Sequence, residues 1–197
     1  MEQLRIAFVT GVTPDKWARV WRERNPAIRL ELLPIEQADQ RTVLDDGTAD
    51  MVLARLPVDL DSPTALHCVR LYDELPVVVA GREHFVAAVD EQDVVAPDDL
   101  SDEQLVLPHH SGWTPSAAQL DFPAISEKDA IEVASSGTGV VIVPMSVARL
   151  HHRKDVVHRV VDLPPTTVAL LWQRDADSPV HQDFVGVVRG RKPSSSR

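Results

Sequence analysis

The chain has 197 residues, a net charge of −10 at pH 7, 44% hydrophobic residues and 5% aromatic residues. The acidic balance argues against a nucleic-acid-binding body, because such binding depends on many Lys and Arg contacts to phosphates, and the low aromatic content disfavours a stacking platform for single strands. The single cysteine, Cys68, excludes an intramolecular disulfide and any multi-cysteine zinc or iron–sulfur site.

The amino-terminal segment carries Glu2 and Arg5 and then only a short apolar run. This pattern predicts neither a signal peptide nor a membrane span. We therefore expect a cytoplasmic protein without membrane contact. Its size allows one large domain or two small lobes.

In the first half of the chain, short apolar runs alternate with amphipathic ones, which predicts strands joined by crossover helices on a largely parallel sheet. The first helix is predicted to begin with Thr13 as its N-cap and Pro14 at its first helical position. The second is predicted over 39–46 and ends at Gly47. The predicted strands are 4–10, 29–34, 50–54, 66–71 and 75–80.

After a polar stretch that suggests a lobe boundary near residue 80, Ser126 opens a helix through Ser136, in a sequence that resembles a capping box. Gly137 suits the position that ends this helix. A short helix is predicted over 146–150 and a last one after Ser178, with Phe184 on its buried face. The strands predicted in this half are 105–108, 140–143, 156–161 and 167–172.

The loop Thr10–Gly11–Val12–Thr13 follows a strand and opens a helix, as anion-binding loops do. It lacks the two glycines and the lysine of a P-loop and the three glycines of a dinucleotide fingerprint. An ordinary turn with a helix cap remains the alternative interpretation.

The other candidate groups do not assemble a catalytic set. The pairs His109–His110 and His151–His152 are adjacent, so on a strand their side chains would point to opposite faces, and we predict no metal site or cofactor. Asp45–Asp46 and Asp98–Asp99 suit capping roles. The cations near the end of the chain form a small basic cluster, which we interpret as a solubilising helix end: Arg189, Arg191, Lys192 and Arg197.

Taken in order, five segments resemble the effector-binding domain of LysR-type transcriptional regulators. "LRIAFV" resembles the first strand, usually written LRIG, with Ala7 in place of the glycine. "VASSGTGVVIVP" resembles V-x-x-G-x-G-I-x-x-L-P and is the most specific segment. The others are "NPAIRLELLP", "LDDGTADMVL", with Ala49 where leucine is common, and "ELPVVVAGREH".

The resemblance implies an α/β, type II periplasmic-binding-protein-like fold of two Rossmann-like lobes joined by two crossing strands. Lobe I would comprise residues 1–79 plus 163–197 and lobe II residues 80–162, with the ligand in the cleft. It also implies a homodimer and a small organic anion as effector, with Arg55 as the counter-charge. A surface arginine just past a strand is the alternative for Arg55. The ligand-binding residues carried over are Thr10, Gly11, Val12, Thr13, Arg55, Leu56, Pro57, His109, Ser111, Trp113, Pro144, Met145 and Ser146.

The family's winged helix-turn-helix is not found, because Met1 lies just before the first strand, and a natural Met1 favours a standalone sensor over an excised domain. We therefore expect no direct DNA binding, and regulation would run through a partner or a separate DNA-binding module. Alternatives are a prephenate-dehydratase-like enzyme on the same fold, a solute receptor of a transporter, and a protein-interaction module with an empty cleft.

Overall fold

The computed structural model describes residues 3–190, and the chain divides into two compact units. Unit 1 comprises residues 3–72 and 167–190, and unit 2 comprises residues 73–166. The basic residues Arg191, Lys192 and Arg197 lie outside the described residues. The chain passes between the units within two strands, β4 (Leu66–Glu74) and β9 (Thr166–Gln173).

Unit 1 is built on a five-stranded sheet in the order β2-β1-β3-β9-β4. Besides β4 and β9, its strands are β1 (Gln3–Val9), β2 (Arg29–Ile35) and β3 (Met51–Arg55). The prediction of parallel strands is right for β1, β2 and β3, but β9 runs antiparallel to β3.

Three helices accompany this sheet: α1 (Asp15–Arg24), α2 (Thr42–Asp45) and α5 (Pro179–Val188). The prediction of one helix over 39–46 is wrong in its first part, where a separate 3-10 turn, Gln37–Asp39, precedes α2. Gly47 ends α2 as predicted, with a φ of 72° that favours glycine.

The sheet of unit 1 is buried on both faces. Met51 and Leu53 contribute to one core cluster and Val52 and Ala54 to another, because successive strand side chains alternate between faces. In the first cluster the fully buried Trp21 packs edge-on against Phe184 of α5, with ring centroids 5.7 Å apart. These contacts hold α1, and therefore the loop that precedes it, against the sheet.

Unit 2 has a four-stranded sheet in the order β6-β8-β5-β7. Its strands are β5 (Pro76–Gly81), β6 (Val94–Val95), β7 (Val141–Pro144) and β8 (Val156–Val161). β5 pairs antiparallel with both β7 and β8, and only β6 and β8 are parallel. The strand predicted over 105–108 is wrong, because that segment makes a single isolated bridge from Leu105 to Val140.

Two helices belong to this unit, α3 (Glu127–Ser135) and α4 (Met145–Leu150). The predicted N-cap of α3 is confirmed, since Ser126 Oγ accepts a hydrogen bond from the Asp129 backbone N–H at 3.1 Å. The Asp129 carboxylate accepts from the Ser126 hydroxyl at 2.9 Å, rather than from the Ser126 backbone N–H as in a capping box. Gly137 follows the helix with a φ of 80°, and its N–H bonds to the Ala134 carbonyl at 3.2 Å, as predicted for a helix-ending glycine.

Candidate functional site

The first group of candidate residues lies where β1 and β3 end. The two strands are parallel, with Phe8 opposite Leu53, so the chain leaves them side by side at Thr10 and Arg55, with about 4.8 Å between neighbouring strands. The strand order β2-β1-β3 shows that the chain reverses direction across the sheet at this place. In open α/β sheets, ligands bind outside the carboxyl ends of strands at such a switch point.

The loop after β1 is a tight turn. The Val12 N–H donates to the Val9 carbonyl at 3.1 Å, and Gly11 adopts a φ of 88° that a residue with a side chain rarely tolerates. The prediction that Thr13 is the N-cap of α1 is wrong. Pro14 takes that position, because its ring is buried and its carbonyl accepts the first helical bond from Ala18 N–H at 2.9 Å.

Thr13 is consequently exposed and Thr10 half-buried. Within residues 3–190, no hydrogen bond to either hydroxyl is present. The two hydroxyls therefore stand at the amino-terminal end of α1 as donors and acceptors available to a ligand, in the positive field of the helix dipole.

Arg55 is the last residue of β3 and its side chain is fully buried, with 0% of its surface exposed. The alternative of a surface arginine past the strand is therefore wrong. A guanidinium keeps its charge in the interior and binds carboxylates in a planar, bidentate manner. Leu56, which follows, is half-buried and donates its N–H to the Thr167 carbonyl at 2.9 Å, and Pro57 is exposed.

Gln40 is a positioning residue that the sequence analysis missed. Its amide nitrogen donates to the Arg55 carbonyl at 3.0 Å, and its amide oxygen accepts from the Arg55 N–H at 3.0 Å. The Gln40 side chain is buried, so both bonds are shielded from water. A glutamine in a polar stretch gives no sequence signal for this role, because its partner lies on a different element.

The loop that follows Pro57 is fixed by Arg41. Its guanidinium donates to the Asp59 carbonyl at 2.9 Å and to the Thr64 carbonyl at 2.6 Å, and it forms an ion pair with Asp45 at 2.9 Å. The loop of residues 57–64 is thus attached to the start of α2.

The second group of candidate residues belongs to unit 2. A strand was predicted over 105–108, directly before His109, but it is not formed. His109 instead begins a turn in which Gly112 N–H donates to the His109 carbonyl at 2.9 Å. Ser111 Oγ lies 2.8 Å from His109 Nδ1 and accepts from the Trp113 N–H at 3.3 Å. His109 is buried, Trp113 half-buried and Ser111 exposed.

The rings of His109 and His110 are in contact, with centroids 4.2 Å apart, so the expectation of opposite faces is wrong for this pair. That expectation assumed a strand, and the residues lie in a turn. Burial, together with a smaller effect of the neighbouring His110, lowers the pKa of His109 from 6.5 to about 4. His109 is therefore neutral at pH 7 and offers a hydrogen bond, rather than a charge, to a ligand.

This histidine makes stability depend on pH. In the unfolded chain it takes up a proton near pH 6.5, whereas in the folded chain it does so near pH 4, so protons favour unfolding between these values. We expect the free energy of unfolding to fall by about 2 kcal/mol as the pH is lowered through this window. Urea unfolding at pH 7, 6, 5 and 4 measures it.

The matched variants are His109→Asn, whose amide oxygen can still accept from Ser111, and His152→Asn at an exposed position. The first should reduce the fall in stability, leaving the part due to His110 and His158, whose pKa values burial also lowers, and the second should leave the fall unchanged. An unchanged slope in His109→Asn would contradict the assignment.

Pro144, Met145 and Ser146 connect β7 to α4 and are all half-buried. Met145 donates its N–H to the Leu75 carbonyl at 2.9 Å, which fixes the start of α4 beside the start of β5. Among residues 3–190, no group of three or more His, Cys, Asp or Glu side chains has the arrangement of a metal site. No helix in the described part of the chain has the length and apolarity that a membrane crossing requires.

The sheet topology is that of an α/β fold of the periplasmic-binding-protein-like class. The chain matches the LysR substrate binding domain family over residues 1–192 and belongs to this family. The family comprises effector-binding domains of transcriptional regulators, not enzymes, so the alternative of a prephenate-dehydratase-like enzyme is wrong.

Known relatives agree with this assignment. The HTH-type transcriptional regulator AlsR of Bacillus subtilis (strain 168) is 22% identical over 204 residues, which cover 93% of this chain and 65% of AlsR. The present chain thus spans just under two thirds of that relative's length.

Two solved structures share the fold. The BenM effector binding domain with its effector benzoate has a TM-score of 0.73 and 18% identity, with coverage of 96% of this chain and 91% of that one. The OxyR regulatory domain C199D mutant from Pseudomonas aeruginosa has a TM-score of 0.68 and 19% identity, with coverage of 96% and 95%.

Proposed function

We propose that this chain is the sensing part of a LysR-type regulatory system and binds a small organic anion through Arg55 and the loop Thr10–Thr13. The observation that carries the proposal is the fully buried Arg55 at the carboxyl end of β3, beside the end of β1 at the switch point of the sheet. A guanidinium keeps its charge in the interior, and its planar fork can bind a carboxylate in a bidentate manner.

The ligand chemistry follows from the groups available. Arg55 supplies the positive charge, and the Thr10 and Thr13 hydroxyls supply hydrogen bonds at the start of α1. In unit 2, we propose the neutral His109, with Ser111 and Trp113, as residues suited to an uncharged or aromatic group, and Pro144, Met145 and Ser146 as further ligand-binding residues. The benzoate named for BenM is an aromatic carboxylate of this kind, so benzoate and its ring-substituted relatives are the first compounds to test.

The binding experiment is a thermal-shift screen of small aliphatic and aromatic carboxylates, followed by calorimetric titration of any hit. A compound at a hundredfold its Kd should add about 2.7 kcal/mol of stability, which raises the Tm by roughly 5–10 °C in a chain of this size. If no carboxylate raises the Tm, the proposal is contradicted and an interaction module with an empty cleft becomes the better interpretation.

Arg55→Gln should weaken a carboxylate hit by about 10- to 100-fold, because it removes a charge-assisted bidentate pair. Arg19→Gln, on the exposed face of α1, is the matched control and should bind normally. Arg55→Lys keeps the charge and loses the planar fork, so an intermediate affinity is expected. A Thr13→Val variant tests the loop independently if the Arg55 variants do not fold. Unchanged affinity in folded Arg55→Gln would disprove the anchor.

The wider role is also proposed. Anion binding would shift an equilibrium between two forms of the protein, in the cytoplasm and in a homodimer, and transcription would be affected through a partner or a DNA-binding module. Light scattering with and without the hit measures the oligomeric state. A monomer under both conditions would contradict the dimer.

A further inference from the structure

A pocket of about 490 Å³ lies in unit 2 at the carboxyl end of β5, and its lining includes none of the candidate residues of that unit. Pro76, at the start of β5, pairs with Pro144, whereas the pocket contains Gly81 at the other end of the strand. A strand of this length separates the two places by about 17 Å. The volume falls within the range of about 300–1,000 Å³ that small-molecule sites occupy.

One wall of the pocket is the end of α3, formed by Ser135, Ser136 and Gly137. Both serine hydroxyls donate to carbonyls of their own helix, Ser135 Oγ to Glu132 and Ser136 Oγ to Val133, each at 2.7 Å. The Ser135 hydroxyl oxygen is therefore left to act as an acceptor, whereas Ser136 Oγ also lies 2.8 Å from Thr138 Oγ1. The carboxyl end of a helix also carries negative partial charge, so this wall favours a cation.

The opposite wall is the turn after β5, closed by a hydrogen bond of 3.0 Å from His84 N–H to the Gly81 carbonyl. It places Arg82 and Glu83 on the pocket, both exposed. Within residues 3–190, neither the Arg82 guanidinium nor the Glu83 carboxylate forms a hydrogen bond or an ion pair. The pocket therefore offers one positive and one negative group to a ligand.

Asp155 and His84, which also line the pocket, lie close to other side chains of unit 2. Asp155 accepts two hydrogen bonds of 2.9 Å from Arg153, and His84 Nε2 lies 3.0 Å from Glu103. A ligand that is only an anion would be repelled by Glu83, and one that is only a cation would be repelled by Arg82, whose charge also acts on the Asp155 carboxylate. A molecule that carries one negative and one positive group can pair with both Arg82 and Glu83.

We propose that this pocket binds a small zwitterion of the amino-acid type, with its carboxylate on Arg82 and its ammonium group on Glu83 and the acceptor oxygens at the end of α3. The site is separate from the proposed anion site, and its occupancy does not depend on that function.

The test is an NMR titration of the ¹⁵N-labelled full chain with L-alanine, L-leucine and L-glutamine, and in parallel with propionate and ethylamine. Propionate lacks the ammonium group of alanine, and ethylamine lacks its carboxylate. We expect amide shifts at Gly81–His84 and Ser135–Gly137 with at least one amino acid, and about tenfold weaker effects with either analogue at equal concentration.

Arg82→Gln and Glu83→Gln should each weaken the amino acid by about tenfold, and Arg19→Gln in unit 1 should not. Equal shifts with propionate or ethylamine would overturn the zwitterion, and pocket amides that move with none of the three amino acids would overturn the site. Shifts confined to Thr10–Thr13 would place binding at the anion site and likewise overturn this one.

Discussion

Gly139→Ala is expected to destabilise the protein by at least about 3 kcal/mol, more than most single substitutions. A Cβ atom at this position would lie 2.3 Å from the Gln104 carbonyl oxygen and 3.0 Å from the Gln104 Cβ. The oxygen cannot move away easily, because it accepts a hydrogen bond of 2.8 Å from Val140 N–H, and Val106 N–H in turn donates to the Val140 carbonyl at 2.9 Å. Urea unfolding followed by circular dichroism measures the loss.

Gly186→Ala is the matched control. Gly186 lies inside α5, and nothing lies within 4 Å of the Cβ that alanine would add. We expect this variant to gain about 0.5–1 kcal/mol, because alanine loses less backbone entropy than glycine in a helix. A Gly139→Ala protein as stable as the parent would show that residues 104–106 yield at little cost, contrary to the packing described.

Gln40→Ala is expected to lower the free energy of unfolding by about 2–4 kcal/mol, because the Arg55 N–H and carbonyl both lose their partner in a buried setting. The same change should weaken binding of a carboxylate at Arg55, since the end of β3 is no longer fixed. Chemical unfolding and calorimetric titration measure the two effects separately.

Gln37→Ala, the same substitution in the preceding 3-10 turn, is the control and should change stability by less than about 0.5 kcal/mol. If Gln40→Ala is equally mild, the two hydrogen bonds contribute little and Gln40 is not a positioning residue. If stability falls but affinity does not, its role is structural only.

The elements predicted best are those whose determinants are local. The apolar run at β3, Ser126 before α3 and Gly137 after it each depend on a few neighbouring residues, and each is found where predicted. The segment 105–108 was predicted wrongly because its apolar residues pack without forming a ladder beyond Leu105.

The candidate site, too, could be predicted only as far as neighbouring residues determine it. Arg55 was predicted as a ligand residue, yet its burial depends on β9, in which Val168 pairs with it, and on Gln40. Neither partner is near Arg55 in sequence, so no local pattern distinguishes a buried arginine from an exposed one here. The turn at Gly11 could be predicted from the glycine itself. The N-cap of α1 at Pro14 could not, because it depends on how the proline ring packs in the folded chain.

The position of β9 between β3 and β4 has a consequence for synthesis on the ribosome. All of residues 73–166 are available before β9 is complete, so unit 2 has every strand of its sheet while unit 1 still lacks an internal one. Until Thr166–Gln173 emerges, β3 and β4 have no strand between them. We expect unit 2 to fold first and the sheet of unit 1 to be completed only when β9 is added, because domains fold as units during synthesis.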